Sequence, residues 1–455
     1  MSSRPVRIAL MTSLLLAPGA RALAQQAATP AANPYGPATA VVRPAAAQEP
    51  ASPPGATWDF EDGPSLRIGK AFRIDFTAVV QGDFRSYDPT PDDASDTEAL
   101  ETLRFGVEGV LFKLVEFEVK YDFQDDDQPW KDVYANLRLR DEFQVQGGYF
   151  KIPFGRERLR GVGSLDFIAR ALVSEDLSPA RDLGGMVHGQ TRRSGFGYAV
   201  GYFRGEPEGA INRIAVPDFE ALEEPDLEPT GPIWAGRVTV RPFRLAGAEG
   251  WFKDLEAGAD VMTATLDEGL FGARGRSWFG PEYFPRVYVK GRRLGLGVDG
   301  ALESGPFTLQ AEYLRVTDDR ENQGLGDETV PDLLAHGWWA AGTWVVTGQK
   351  KSRADAPEAW FPGRGFGAIE LATRYERLRF RSVETGGEEP FRNPRAANLY
   401  PNSDTAWTGG VNWYLNRFVK AQVNAIREHI EDIERTLRPG EDTFWTYAVR
   451  VQVSM

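Results

Sequence analysis

The 455-residue chain contains no cysteine. A disulfide framework, a CxxC redox site and a zinc ribbon are therefore excluded. Histidine is nearly as scarce, with only His188, His336 and His429, which argues against a His-rich metal centre. Long apolar runs are missing too. Beyond the first two dozen residues nothing approaches the ~18–20 uninterrupted apolar residues that a spanning helix needs. No GxSxG, HExxH or P-loop pattern occurs, so neither an enzyme nor a cofactor is expected. Positive charge is in deficit, and a net charge of −13 argues against nucleic acid as a partner. What is present is 42% hydrophobic and 26% charged residues, too apolar a mixture for a wholly disordered chain. Glycine (48 residues) and aromatics (12%) are abundant, a usage that recurs in transmembrane β-barrels.

Met1 to Ala24 reads as a secretory signal peptide. Arg4 and Arg7 supply its basic end, Ile8 to Ala17 its apolar stretch, and Ala22-Leu23-Ala24 a small-residue cleavage site. Cleavage removes three arginines and no acid, taking the net charge from −13 to −16. Residues 25–65 are rich in Ala and Pro and read as a disordered linker. The folded domain is assigned to 66–455.

From Phe72 onward the hydrophobic period is two, not 3.6. Trp445, Tyr447, Val449, Val451 and Val453 alternate with Thr446, Ala448, Arg450, Gln452 and Ser454, so one strand face is apolar and the other polar. Val115 to Phe123 and Trp407 to Leu415 repeat the pattern. Many segments are long enough to cross a bilayer at the usual tilt, and aromatics such as Phe72, Phe123, Trp234, Trp407 and Trp445 mark the ends of the apolar stripes. Sixteen strands can be placed, near 72–87, 101–112, 114–123, 130–140, 143–151, 184–191, 195–204, 232–243, 252–263, 286–303, 307–318, 334–347, 366–381, 404–416, 417–430 and 443–454. Connections after odd strands are mostly long and those after even strands mostly tight, as in a transmembrane barrel with long outside loops. The 124–129 and 348–365 connections fit least well. The fold class is an all-β, sixteen-stranded antiparallel transmembrane barrel.

Acidity concentrates in the long loops, with eight acids against Arg213 in 205–231. Solvated loop charge is one reading; cation-bridged contact with lipopolysaccharide is the other. The face assigned to the lumen carries Arg104, Lys120, Arg138, Arg140, Arg237, Arg241 and Arg374, interleaved with Glu108, Glu116, Glu118, Asp122, Glu312 and Glu370. Rings of bases favour anions and rings of acids cations, so this mixed lining leaves the sign of selectivity open.

The longest loop, 152–183, opens from Gly148-Tyr149-Phe150-Lys151-Ile152-Pro153-Phe154-Gly155, followed by Glu157, and closes with Arg181-Asp182-Leu183-Gly184. Together with Leu309-Gln310-Ala311-Glu312-Tyr313, Glu370-Leu371-Ala372-Thr373-Arg374-Tyr375 and Asn412-Trp413-Tyr414-Leu415-Asn416, this resembles the phosphate-selective porin O/P family of Gram-negative outer membranes. The resemblance runs over roughly residues 66–455. It implies a homotrimer of sixteen-stranded barrels, each narrowed by an inward-folded third loop whose basic residues guide phosphate. On that reading Arg156, Arg158, Arg160, Arg170, Arg181 and Lys151 are the constriction candidates. Guanidinium suits the task because its planar fork matches phosphate oxygens and stays charged. Equally, these bases could pair with Glu157, Asp166, Glu175, Asp176 and Asp182 and simply pin the loop. Barrels of this class usually end in an aromatic residue. Here Met455 closes an intact alternation, and insertion by the barrel-assembly machinery is expected. The expected function is passive diffusion of small hydrophilic solutes, anions such as phosphate foremost, across the outer membrane. A general or cation-biased porin is the alternative.

Overall fold

The structure, a computed structural model, describes residues 55–60, 63–69, 71–90, 96–125, 128–191, 195–205, 231–278, 280–354, 357–384 and 389–455. The expected signal peptide, most of the linker and most of the acidic 205–231 loop lie outside the described residues.

Sixteen strands form the barrel: β1 (Phe72–Asp88), β2 (Thr97–Leu111), β3 (Val115–Asp122), β4 (Trp130–Arg140), β5 (Phe143–Lys151), β6 (Arg181–Gln190), β7 (Phe196–Phe203), β8 (Ile233–Val240), β9 (Glu256–Gly269), β10 (Val289–Ser304), β11 (Phe307–Asp318), β12 (Leu333–Val345), β13 (Ala368–Ser382), β14 (Asn402–Tyr414), β15 (Val419–Ile430) and β16 (Thr443–Ser454). Each pairs antiparallel with the next. β16 closes on β1, from Trp445 opposite Asp88 to Ser454 opposite Val79. β1 runs on past that point. There a short hairpin, Ala56–Asp59 paired with Ser65–Ile68, continues the wall against Phe72–Asp75. The described end of the expected linker is thus part of the sheet.

The apolar stripe faces outward, with Val119, Val200, Val238, Val261, Val298, Leu309, Leu371, Val411, Val423 and Val451 all exposed. Two aromatic rows bound it. Tyr202 and Trp234 meet edge to face at the long-loop end, where Trp445 and Tyr447 stack. Phe307 and Trp344 stack at the tight-turn end, where Phe361 and Trp413 also meet. This is the hydrocarbon-facing band of a membrane barrel. The connections after β8 (241–255) and β12 (346–367) are long for the tight-turn end. They are ordered by one-turn helices at Pro242–Leu245 and Lys351–Arg353.

The buried core lies inside the barrel, in its long-loop half. Leu314, Val316, Leu333, Ala335, Leu378, Phe380, Ile426, Ile430 and Phe444 point inward there and are buried together with loop residues. On β13 the polarity inverts along the strand. Ile369, Leu371 and Tyr375 face out while Glu370, Arg374 and Glu376 face in; farther on, Leu378 and Phe380 face in while Arg377, Arg379 and Arg381 face out.

Candidate channel constriction

The filling comes from two loops. The third, between β5 and β6, turns inward at once. Gly148 takes φ 135°, and a Cβ there would sit 2.3 Å from the Val133 carbonyl oxygen. Only glycine fits, since both the dihedral and the close approach exclude a side chain. Beyond it Ile152 and Phe154 are fully buried. The loop contains two short helices, α1 (Arg156–Leu159) and α2 (Leu172–Leu177). It buries Leu159, Phe167, Leu172, Val173 and Leu177 against the inward residues of β9 to β15.

Polar contacts fix the loop to the wall all round. Ser174 donates to Glu312 at 2.7 Å, the Leu172 N–H to Glu376 at 2.6 Å and the Ile168 N–H to Asn424 at 2.8 Å. Asn412 donates to the Asp166 carbonyl and Arg450 to the Ile168 carbonyl. From the β12–β13 connection, Lys351 reaches Asp166 at 2.7 Å.

The fifth loop, between β9 and β10, enters beside it, an arrangement that sequence reading did not anticipate. Its small hairpin, Gly275–Arg276 with Glu282–Phe284, buries Tyr283 and Phe284 against Phe380. Trp278 donates its N–H to Glu428 at 2.8 Å and its indole to Glu376 at 3.1 Å. Arg276 holds Asp176 of α2. Arg374 is clamped between the loops. Its guanidinium stacks on Phe167 and Trp278, and its nitrogens approach Glu157 (3.4 Å) and Glu376 (2.9 Å). The aromatics at 278–284 were a usable signal, because four such residues in an outside loop need somewhere dry to go.

The constriction candidates divide by what they touch. Arg156 joins Glu256 and Asp299 on the wall. Arg160 binds Asp166 at 2.8 Å, and Arg181 grips Asp132 through two nitrogens. Lys151 donates to the Leu159 and Arg160 carbonyls. Arg158 pairs with Glu175 at 2.6 Å. Arg170 donates to the carbonyls of Glu157 and Arg160 and lies 4.0 Å from Glu175. Among the lumen-lining candidates, Arg104 meets Asp122, Lys120 meets Glu118, Arg138 meets Glu116 and Asp141, Arg237 meets Asp260 and Asp299, and Arg241 meets Glu256. Arg140 sits exposed at the β4–β5 turn.

An open space lies between the two loops and the β1, β2 and β16 wall. It holds a cavity of about 340 Å³. Arg85, Arg170, Arg276 and Arg450 line it, with Glu101, Glu175 and Asp176. Arg450 is engaged by Asp83 at 2.6 Å and 2.7 Å. The side chain of Glu175 is 45% exposed to this space. Its enclosed position favours the neutral acid, but Arg158 and Arg170 outweigh that and hold its pKa at about 2. Burial pushes Asp176 up to about 6 despite Arg276. Burial brings Arg170 down to about 10, so it stays cationic at neutral pH.

A closed sixteen-stranded barrel with a lipid-facing apolar band and a charged, loop-narrowed lumen defines an outer-membrane porin. The chain belongs to the family described as phosphate-selective porin O and P, which it matches over residues 72–212 and 288–454. It is 26% identical to Porin O of Pseudomonas aeruginosa over 165 residues, a match that spans 34% of this chain and 34% of Porin O. In fold it is similar to OmpT, an outer membrane protein of Vibrio cholerae (TM-score 0.54, 12% identity, 85% of this chain and 98% of that one). A trimer form of OmpT gives a TM-score of 0.51 at 13% identity, covering 85% of this chain and all of that one. The outer membrane channel DcaP of Acinetobacter baumannii gives 0.50 at 10% identity, covering 85% and 98%.

Proposed function

We propose that this chain forms a passive channel for small hydrophilic anions, phosphate among them, and works as a homotrimer. The observation that carries the anion preference is the state of Arg170 in the cavity. Its hydrogen bonds go to backbone carbonyls and its nearest carboxylate, Glu175, is 4.0 Å away, so its charge is oriented and only partly offset. An anion entering the cavity meets Arg170 and Arg276, both of which line it. Such weak, successive contacts speed passage, whereas one deep site would trap the solute. The loop bases with close carboxylate partners, Arg156, Arg160 and Arg181, serve in this reading to hold the gap open at a fixed width. Trimeric assembly is supported by the family and by the OmpT trimer form.

The test is the reversal potential of the reconstituted channel across a KCl gradient, with and without added phosphate. We expect anion preference and block of chloride current by phosphate. Arg170→Gln should weaken that block at least fivefold. Cation preference without phosphate block would reject the proposal in favour of a general porin.

Asp176 adds a pH dependence. Its carboxylate is ionised above about pH 6 and neutral below. Each protonation removes one negative charge from the cavity and releases Arg276 toward the solute. The anion-to-cation permeability ratio should therefore rise as pH falls from 7.5 to 5. Asp176→Asn should hold the ratio at its high value throughout, and a slope that survives the substitution would assign the titration elsewhere.

A further inference from the structure

The inverted end of β13 turns three arginines outward, where most of the barrel wall carries apolar side chains. Arg377, Arg379 and Arg381 face outward there, and Arg315 does the same on β11. The register gathers them. Arg315 lies opposite His336 of β12, and His336 opposite Arg379. All four guanidinium groups lie within electrostatic range of that imidazole. Among the described residues the carboxylate paired with this group is Glu431, 3.4 Å from Arg377 and within range of Arg379. Among the described residues Arg381 donates to the Ser382 and Val383 carbonyls. Among the described residues, four guanidinium groups on β11 and β13 thus gather around His336, with Glu431, from the connection after β15, as their paired carboxylate.

The depth of this patch points to its ligand. Next to it, one step toward the mid-membrane, stand the exposed rings of Tyr313, Trp338 and Tyr375, with Trp338 and Tyr375 5.5 Å apart. Aromatics of this kind mark the boundary between acyl chains and headgroups. Lipid-facing arginine is disfavoured among acyl chains and tolerated only near the interface, so these side chains lie at headgroup level. They stand at the ends of β11 and β13 that lead into long loops, which places them in the outer leaflet. Mutual repulsion of four guanidinium groups is relieved by an anion, and their forks match phosphate oxygens. We propose that this face is a binding site for the phosphate groups of a phosphorylated outer-leaflet glycolipid, whose acyl chains lie along the aromatic row beneath. A free phosphate ion would gain nothing from the rings, and a second copy of the chain would bring no matching acidic patch from these same strands.

The full chain, reconstituted in phosphatidylcholine nanodiscs, is titrated with bisphosphorylated lipid A, and bound lipid is counted by native mass spectrometry. The triple variant Arg315→Gln, Arg377→Gln, Arg379→Gln should bind at least tenfold more weakly, while the corresponding triple lysine variant should lose less than fivefold. Arg140→Gln at the opposite rim should change nothing. Heat-modifiable gel migration checks that each variant is a folded barrel. If the glutamine triple does not fold, Arg315→Gln alone should cost at least threefold. Equal binding of dephosphorylated lipid A would overturn the proposal, as would unchanged binding by the glutamine variants. Displacement of lipid A by an equal concentration of inorganic phosphate would assign the patch to the free anion instead. Loss of subunit association with lipid binding intact would assign it to a protein interface.

Discussion

Replacing residues 273–285 by a short Gly-Ser linker should raise single-channel conductance severalfold and relax the size limit for uncharged solutes. The fifth-loop hairpin fills the lumen beside α2 and supplies Arg276 and Trp278 to the cavity wall. The strands pair with one another through their own backbone, from β1 round to β16, so the strand ladder survives its removal. The inward faces it leaves, Phe380, Ile426 and Phe444 among them, would become wet, and some loss of thermal stability should accompany the gain in conductance. Planar-bilayer recordings and liposome swelling with sugars of graded size measure the effect. An unchanged conductance would mean that the third loop alone sets the bore.

Arg374→Met should unfasten both loops. The substitution preserves the stacking volume between Phe167 and Trp278 but leaves Glu157 and Glu376 buried without their common cation. Breaking a buried pair by removing one partner costs about 3–5 kcal/mol. That cost falls on the loops, because Glu376 also accepts from the Leu172 N–H and the Trp278 indole. We expect a barrel that still migrates as a heat-modifiable species but whose open-channel current flickers between levels. Adding Glu376→Gln to Arg374→Met removes one stranded charge and should recover part of the quiet current. A steady current in the single variant would show that the apolar packing alone secures the loops.

The wall was legible in the sequence because lipid on one side and water on the other impose a period of two. Every one of the sixteen expected strands overlaps an observed one, and β4 (130–140), β5 (143–151), β11 (307–318) and β16 (443–454) match to within a residue. Larger errors arose where that contrast fails. β9 was expected at 252–263 and runs Glu256–Gly269. Trp251 and Phe252 lie instead in the turn before the strand, edge to face with ring centres 5.6 Å apart. β6 begins at Arg181, earlier than expected, because Arg181 satisfies its charge on Asp132 of the neighbouring wall. The third loop could be placed by its motif, but its many carboxylate partners could not, since Glu256, Asp299, Glu312 and Glu376 lie far away in sequence. The fifth loop was missed for a related reason. Its hairpin packs on Phe380 and the other inward apolar groups, so the aromatics at 278–284 signal burial without naming the partner. The inversion on β13 was readable in principle, since Leu378 and Phe380 fall out of phase with the stripe that ends at Tyr375.

The inward core gives this membrane protein two apolar surfaces with different solvents. The outer one is wetted by acyl chains in every folded state, so lipid or detergent chemistry acts on it directly. The inner one is buried against protein, except where Leu172 and Trp278 border the cavity, and is fully wetted only when the loops leave or the barrel opens. Its exposure carries the heat-capacity increase of ordinary apolar hydration, while the outer band stays solvated by amphiphile throughout. Thermodynamically the long-loop half behaves as a small globular protein enclosed in a membrane-facing cylinder. Its loop packing should therefore follow the temperature dependence of water-soluble cores, largely independent of bilayer thickness.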